Sequence, residues 1–297
     1  VTNYAVSRRR VWRITIETIM RKRIVLPLLG LVLLLGGVTL SGCDKLNEVV
    51  SQLGLSNEDI VKGLRTALDS SANASSLAAS KLNGFLMNEL IKIAAPPEVV
   101  DLKSALDNVA VNPVVNAAFM VVAQGRPADS FLSNNMGDLV ASINHAAEKG
   151  SEQAYPIFKK AITEMTITDG LKILQGGKTS ATDYLREKTY KDLVAAFAEP
   201  IRSVVESGEV SRLWKPVAEK YNKVGPWVSG KSLAGYTFTG PEHVNEDLSE
   251  YITEKAMDGL FKLVAQEEAA IRENPKKYAS GIIQKVFGSL EAKAALK

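Results

Sequence analysis

Residues 245–273 read NEDLSEYITEKAMDGLFKLVAQEEAAIRE. Ile252, Ala256, Leu260, Leu263 and Ile271 recur at helical steps, which gathers them on one face of an α-helix. Asn274-Pro275 stops the pattern, and Lys262 falls on the opposite face. A continuous helix of this length with one apolar face is the central buried element of an all-α domain, and the chain on either side repeats its spacing.

Upstream, Val210, Leu213, Trp214, Val217 and Tyr221 form one stripe, and Leu185, Thr189, Leu193, Val194 and Phe197 another that runs to Pro200. Ser180 with Asp183 reads as a capping box for the second stripe. Thr168 reads as the N-cap of a shorter helix carrying Leu171, Ile173 and Leu174, which ends at Gly176-Gly177. Leu139, Ile143, Ala146 and Ala147 share a face before Gly150 interrupts, and Pro156 requires a start, bend or break. Ser56 to Ser80 reads as helix through Ile60, Leu64 and Leu68, with the small residues 70–76 as either a packing face or an interruption. Ala94 to Pro97 breaks a further helical segment, and Glu98 to Asn108 starts another. Residues 109–135, apolar and interrupted by Pro113 and Pro127, read as a buried helix in preference to a lipid-facing one. Residues 224–243, rich in glycine and proline, read as a long loop or small hairpin. A last helix carries Tyr278, Ile282, Val286 and Phe287. No period of 20–50 residues recurs, which excludes a solenoid. The expectation is a single multi-helix domain over residues 56–289, with 290–297 as a tail.

Ahead of that domain lies a second kind of signal. Arg21, Lys22 and Arg23 precede an apolar run from Ile24 to Val38, and Leu40-Ser41-Gly42 leads into Cys43, the single cysteine. A basic start, a short apolar middle and small residues before a cut describe a secretory signal peptide. This arrangement resembles the bacterial lipoprotein signal, in which the cysteine after the cut is acylated and becomes the new N-terminus. A retained membrane span fits worse, because Ile24 to Val38 is short of the roughly 20 apolar residues a spanning helix needs. Residues 1–42 then form the leader, with Met20 as an alternative start, and 43–55 the lipidated cysteine and its tether. The expected place is the bacterial cell envelope, anchored through acyl chains on Cys43 and facing the periplasm. Asp44 favours the inner membrane slightly over the outer, and Lys45 weakens that preference.

Charge and rare residues narrow the chemistry. The chain holds 36 Lys and Arg against 33 Asp and Glu. Residues 1–42 contain seven of the basic and one of the acidic ones, so the remainder carries a formal charge of −3. A mildly acidic body offers no electrostatic footprint for nucleic acid. With Cys43 acylated and only His145 and His243 in the chain, neither a thiol nor a multi-histidine zinc site is expected, and no cofactor.

Two stretches imitate phosphate loops. Gly225 to Ser232 matches the P-loop pattern literally, but that loop needs a strand before it and a helix after it. Here a helix precedes, so a surface turn is the better reading. Gly176-Gly177-Lys178-Thr179 lacks the first glycine and reads as a helix stop. The candidate polar site is a set of charges on the two strongest helices, Asp183, Arg186 and Glu187 with Glu254, Lys255 and Asp258. Facing carboxylates there would share a proton or bind a cation; the plainer reading is interhelical and surface ion pairing. His145, Trp214 and Tyr221 read as structural.

Asn144 to Glu148, Met165 to Leu174, Ala181 to Thr189, Trp214, Tyr221-Asn222 and Tyr251 to Phe261 resemble a bacterial lipoprotein family, domain of unknown function 4197. Ile271 to Pro275 and Val286-Phe287-Gly288 fit as well. The resemblance covers about Asp59 to Gly288, with 109–135 and 224–243 longer than its usual pattern. It implies an all-α periplasmic lipoprotein and no activity. The functional expectation is a lipid-anchored helical binding or scaffold module for an envelope protein or lipid ligand, without catalysis. The alternative is a carboxylate-dependent hydrolase or cation-dependent envelope enzyme built on the six charged residues.

Overall fold

A computed structural model describes residues 55–131 and 136–288; the leader, the lipobox with Cys43, most of the tether and the C-terminal tail lie outside the described residues. The chain order is α1 (Asn57–Ser80), α2 (Pro97–Ala110), α3 (Pro113–Val122), a 3-10 turn at Ala128–Ser130, α4 (Met136–Ser151), α5 (Ala154–Glu164), α6 (Ile167–Gln175), α7 (Ser180–Ser207), α8 (Glu209–Val228), a hairpin of β1 (Ser232–Leu233) and β2 (Tyr236–Thr237), α9 (Ser249–Glu273), a 3-10 turn at Pro275–Lys277 and α10 (Gly281–Phe287). The described part is an all-α domain.

α9 is its centre. It packs against α7, α1 and α4, and its buried residues include the whole Ile252, Ala256, Leu260, Leu263 and Ile271 face. Burial goes further than that stripe: Met257, Phe261 and Gly259 are also covered, so α9 is enclosed on more than one side. Phe261 meets Phe158 of α5 edge-on at 5.7 Å, and Phe85 and Ile91 sit where a β-carbon at Gly259 would stand. α9 begins at Ser249, four residues later than the apolar pattern suggests. Asn245 and Asp247 instead accept from the amides two residues on, in turns that compete with helix.

Several boundaries differ from the sequence reading, each for a local reason. α1 runs uninterrupted through its serines: Ser71 bonds back to Ala67 O at 2.9 Å, and Ser71, Ser75 and Ser76 are buried, so the small residues are a packing face. Residues 81–93 form turns in place of a helix. Asn83 adopts φ 60° there, and a β-carbon at Gly84 would run into the backbone carbonyls of Ala78 and Ala79. α4 ends one residue past Gly150, at Ser151, and Ile201 and Phe197 of α7 lie 3.0–3.1 Å from where a β-carbon at 150 would stand, closer than a side chain there would allow without shifting them. The cap of α6 is Thr166, two residues before the expected Thr168. Its hydroxyl accepts from Asp169 N while Asp169 accepts from Thr166 N. The Thr166 hydroxyl donating to the Asp169 carboxylate at 2.7 Å, and then the Thr166 amide, hold the Asp169 pKa below its usual range. α7 continues through Pro200 to Ser207, because Ile201 and Val205 beyond the proline are buried and their packing offsets the one lost backbone bond.

The largest departure is α3. The apolar run at 113–122 is a helix, as expected, but only Val115 and Phe119 are buried. Val114, Val121 and Val122 face outward. α3 touches α2, α8 and the turn at Ala128–Ser130, and lies away from the central helix. Among the described residues no single helix is long and apolar enough to cross a membrane.

Candidate functional site

The six charged residues singled out from the sequence lie on α7 and α9, which run side by side. Of these, the structure pairs Arg186 with Asp258 across the two helices, Nη1 to Oδ1 3.9 Å, with the Arg186 guanidinium 4.5 Å over the Phe261 ring. Asp183 accepts from Thr179 Oγ1 at 3.0 Å and, with Glu187, lines an open groove of about 390 Å³ against Asp169, Lys172 and Lys188. Glu254 turns the other way. It pairs with Lys255 at 2.9 Å, a bond that raises the Lys255 pKa, and faces a separate groove beside Tyr190 and Asp247. The six are therefore divided among an interhelical bridge and two surfaces. Exposed pairs of this kind contribute about 0–1 kcal/mol each. Among the described residues no group of three or more His, Cys, Asp or Glu side chains could hold a metal ion.

The buried charges lie elsewhere, and sequence reasoning missed them. Glu268 and Arg272 of α9 are an i,i+4 pair, 2.8 Å apart and almost wholly enclosed. The Glu268 carboxylate accepts from Ala181 N at 3.0 Å, and from Thr182 N and Thr182 Oγ1 at 2.7 Å each. A carboxylate from α9 thus fills the positive N-terminus of α7. Arg272 in turn donates to Ile173 O at 3.2 Å and Ser180 Oγ at 2.9 Å, and stacks its guanidinium over Phe287. This arrangement replaces the Ser180–Asp183 capping box: Ser180 lies inside the helix and bonds to Ile173 O and Gly177 O. The readable signal was position. Residues 268 and 272 continue the 256, 260, 264 series, so an acid and a base stood in the middle of an apolar face.

Two asparagines act as backbone clamps. Asn144 accepts from Ile93 N and donates to Ile93 O, both at 2.8 Å. Asn222 does the same to Val244, accepting from its amide at 2.9 Å and donating to its carbonyl at 3.1 Å. Around the first clamp, the buried Glu148 takes the amides of Asn83 and Phe85 at 3.2 Å each, and His145 Nε2 lies 3.2 Å from Asn83 Oδ1. Around the second, Trp214 Nε1 donates to Asn245 O at 2.7 Å, and Tyr221 donates its hydroxyl to Pro241 O. Burial raises the Tyr221 pKa well above its ordinary value, keeping the donor protonated. The Asn144 to Glu148 segment and the Trp214, Tyr221 and Asn222 set therefore hold crossing chain in place.

Both phosphate-loop imitations are accounted for by geometry. Gly225 to Val228 form the last turn of α8, Ser229 to Lys231 turn, and Ser232 opens β1, which is helix-turn-strand, the reverse of the phosphate-binding order. Behind Gly176-Gly177-Lys178-Thr179, the amides that would receive an anion are taken by Glu268. Lys231→Ala is accordingly expected to leave the urea midpoint unchanged. Isothermal titration with ATP checks the same point: tight binding by the parent chain that this substitution abolishes would restore the loop as a nucleotide site.

An open apolar groove of about 120 Å³ lies where α3 meets the end of α8 and the hairpin. Phe238 joins the three elements: its ring lies 6.3 Å from Phe119 and 6.5 Å from Tyr221. Ala234 and Gly235, at φ 50° and 79°, make the tight turn, and Tyr236 ties the hairpin to Ala105 O of α2. Trp227, 71% exposed, stands at the margin beside Leu233 and Val122.

A bundle wrapped round one helix, with its buried charges committed to holding helix ends and loops, defines an all-α single-domain protein. The chain belongs to the family described as Protein of unknown function (DUF4197), whose model matches residues 54–288. Comparisons with curated proteins and with solved structures gave no match.

Proposed function

We propose that this protein is a non-catalytic binding module of the bacterial cell envelope, held by acyl chains on Cys43 and facing the periplasm. The apolar lobe of α3, Trp227 and the hairpin is its binding surface, for an envelope protein or a lipid. The observation that carries this reading is the uncovered apolar surface of that lobe. Contiguous exposed apolar patches mark interaction sites more often than they mark nothing. The lipobox at Leu40 to Cys43 supports the envelope setting.

Cys43→Ser tests the anchor. Each buried methylene of an acyl chain contributes ~0.8 kcal/mol, and stable attachment takes more than one chain. The variant is expected to leave the membrane fraction or to persist with its leader uncleaved, while the parent shows the added mass of acyl chains. A parent protein that is membrane-bound with an unmodified Cys43 would overturn the anchor.

A further inference from the structure

The exposed face of α3 calls for an occupant, and its composition restricts which one. From Asn108 to Gly125 the sequence has no charged residue. α3 is uncharged and apolar apart from Asn116, whose side chain accepts from Ala128 N at 3.0 Å, yet it covers only Val115 and Phe119 on the protein side. A helix whose one polar side chain is satisfied and whose other faces are apolar belongs in a protein core or in lipid. Val111 and Val121, each 82% exposed, with Val114 and Val122, present only methyl groups outward. Trp227 and Leu233 extend that surface across the groove to the hairpin.

We infer that the occupant is the bilayer to which the chain is tethered, with α3 lying in the membrane interface and Trp227 at headgroup level; this rests on the anchored reading proposed above. Ten residues make a helix of about 15 Å, about half the ~30 Å hydrocarbon thickness, so α3 lies in the interface and does not span. An indole at the margin of an aliphatic patch suits the boundary between acyl chains and headgroups.

The tether permits it. α1 starts beside α6 and α10, with Asp59 3.9 Å from Lys285 and Val61 against Gly170. The lobe lies towards the other end, where Ala94 meets Tyr251 at the start of α9 and α2 and α3 follow. A helix of 24 residues is about 36 Å long. The twelve residue-to-residue steps from Cys43 to Leu55 reach about 40 Å at full extension. An anchored domain lying along the membrane can therefore bring its far lobe onto the same leaflet.

The test uses the two tryptophans of the chain after Cys43. Trp214 is buried and Trp227 is exposed, so a Trp227→Phe variant supplies the Trp214 background. The lipidated protein beginning at Cys43 is reconstituted in phosphatidylcholine–phosphatidylglycerol vesicles, plain or brominated on the acyl chains. The Trp227 emission is expected to shift to the blue and to be lost largely in brominated vesicles. Val121→Asp, at an exposed position, should abolish both effects while the protein stays on the vesicle through its lipid and keeps its helical circular dichroism. Unquenched Trp227 on vesicle-bound protein overturns the inference. So does a Val121-dependent dimer in sedimentation, which would make a second copy the occupant. Intact mass at Cys43 reads the anchor independently, so failure of the anchor and failure of the lobe are separate results.

Discussion

Glu268→Ala is expected to destabilise the domain by about 3–5 kcal/mol, the cost of breaking a buried ion pair from one side. Arg272 would keep its charge in an enclosed site and lose its acid partner, while its contacts with Ile173 O and Ser180 Oγ compensate only in part. At the same stroke Ala181 N and Thr182 N would lose the acceptor that closes the start of α7. Glu268→Gln separates the two effects, because its amide oxygen still accepts one of those hydrogens while the charge is gone; its cost should fall between the parent and the alanine variant. Urea melts followed by far-UV circular dichroism give the comparison. Against a typical total of ~5–15 kcal/mol, the alanine variant is near the limit of folding. An unchanged midpoint would show that the α9–α7 connection does not depend on this carboxylate.

Leu260→Ala is expected to cost about 2–5 kcal/mol, a transfer contribution plus a cavity. Leu260 is fully buried at the middle of α9, with Ala256 and Val264 a turn away on each side and α7, α1 and α4 packed around the helix. The neighbouring Lys262 is exposed, and Lys262→Ala should cost under about 0.5 kcal/mol. The same urea melts compare them. Equal midpoints would mean that the centre of the domain is not where α9 places it.

The long apolar stripes were legible because a helix repeats its burial every three or four residues, so Ile252 to Ile271, Leu185 to Phe197 and Val210 to Tyr221 declare their own faces. What escaped was decided between distant parts of the chain. The cap of α7 comes from Glu268, 87 residues from Ala181, and no local pattern encodes it. Residues 81–93 contain helix-forming types, but Glu148 and Asn144 satisfy their backbone as turns. Apolar sequence usually is core, so α3 reads as core; its exposure depends on how little of the domain reaches it. The charged candidates lie on helices, as their spacing predicts, yet helical spacing alone does not say whether two helices turn their charges toward each other or apart. Of the six, only Arg186 and Asp258 meet across the two helices.

The two asparagine clamps also bear on how the protein ages. Asparagine loses ammonia when the next residue's backbone nitrogen attacks the side-chain carbonyl, and the product is a carboxylate. At position 144 or 222 that product would set negative charge against the carbonyl of Ile93 or Val244 and remove the donor those carbonyls rely on. Both residues lie inside helices, α4 and α8, where the following nitrogen is engaged in the helical ladder. Their amides are also held in place by two bonds to one residue. The geometry that makes each clamp grip is the geometry that keeps the attacking nitrogen away, so the fold slows the chemical clock on the side chains whose loss would open its crossings.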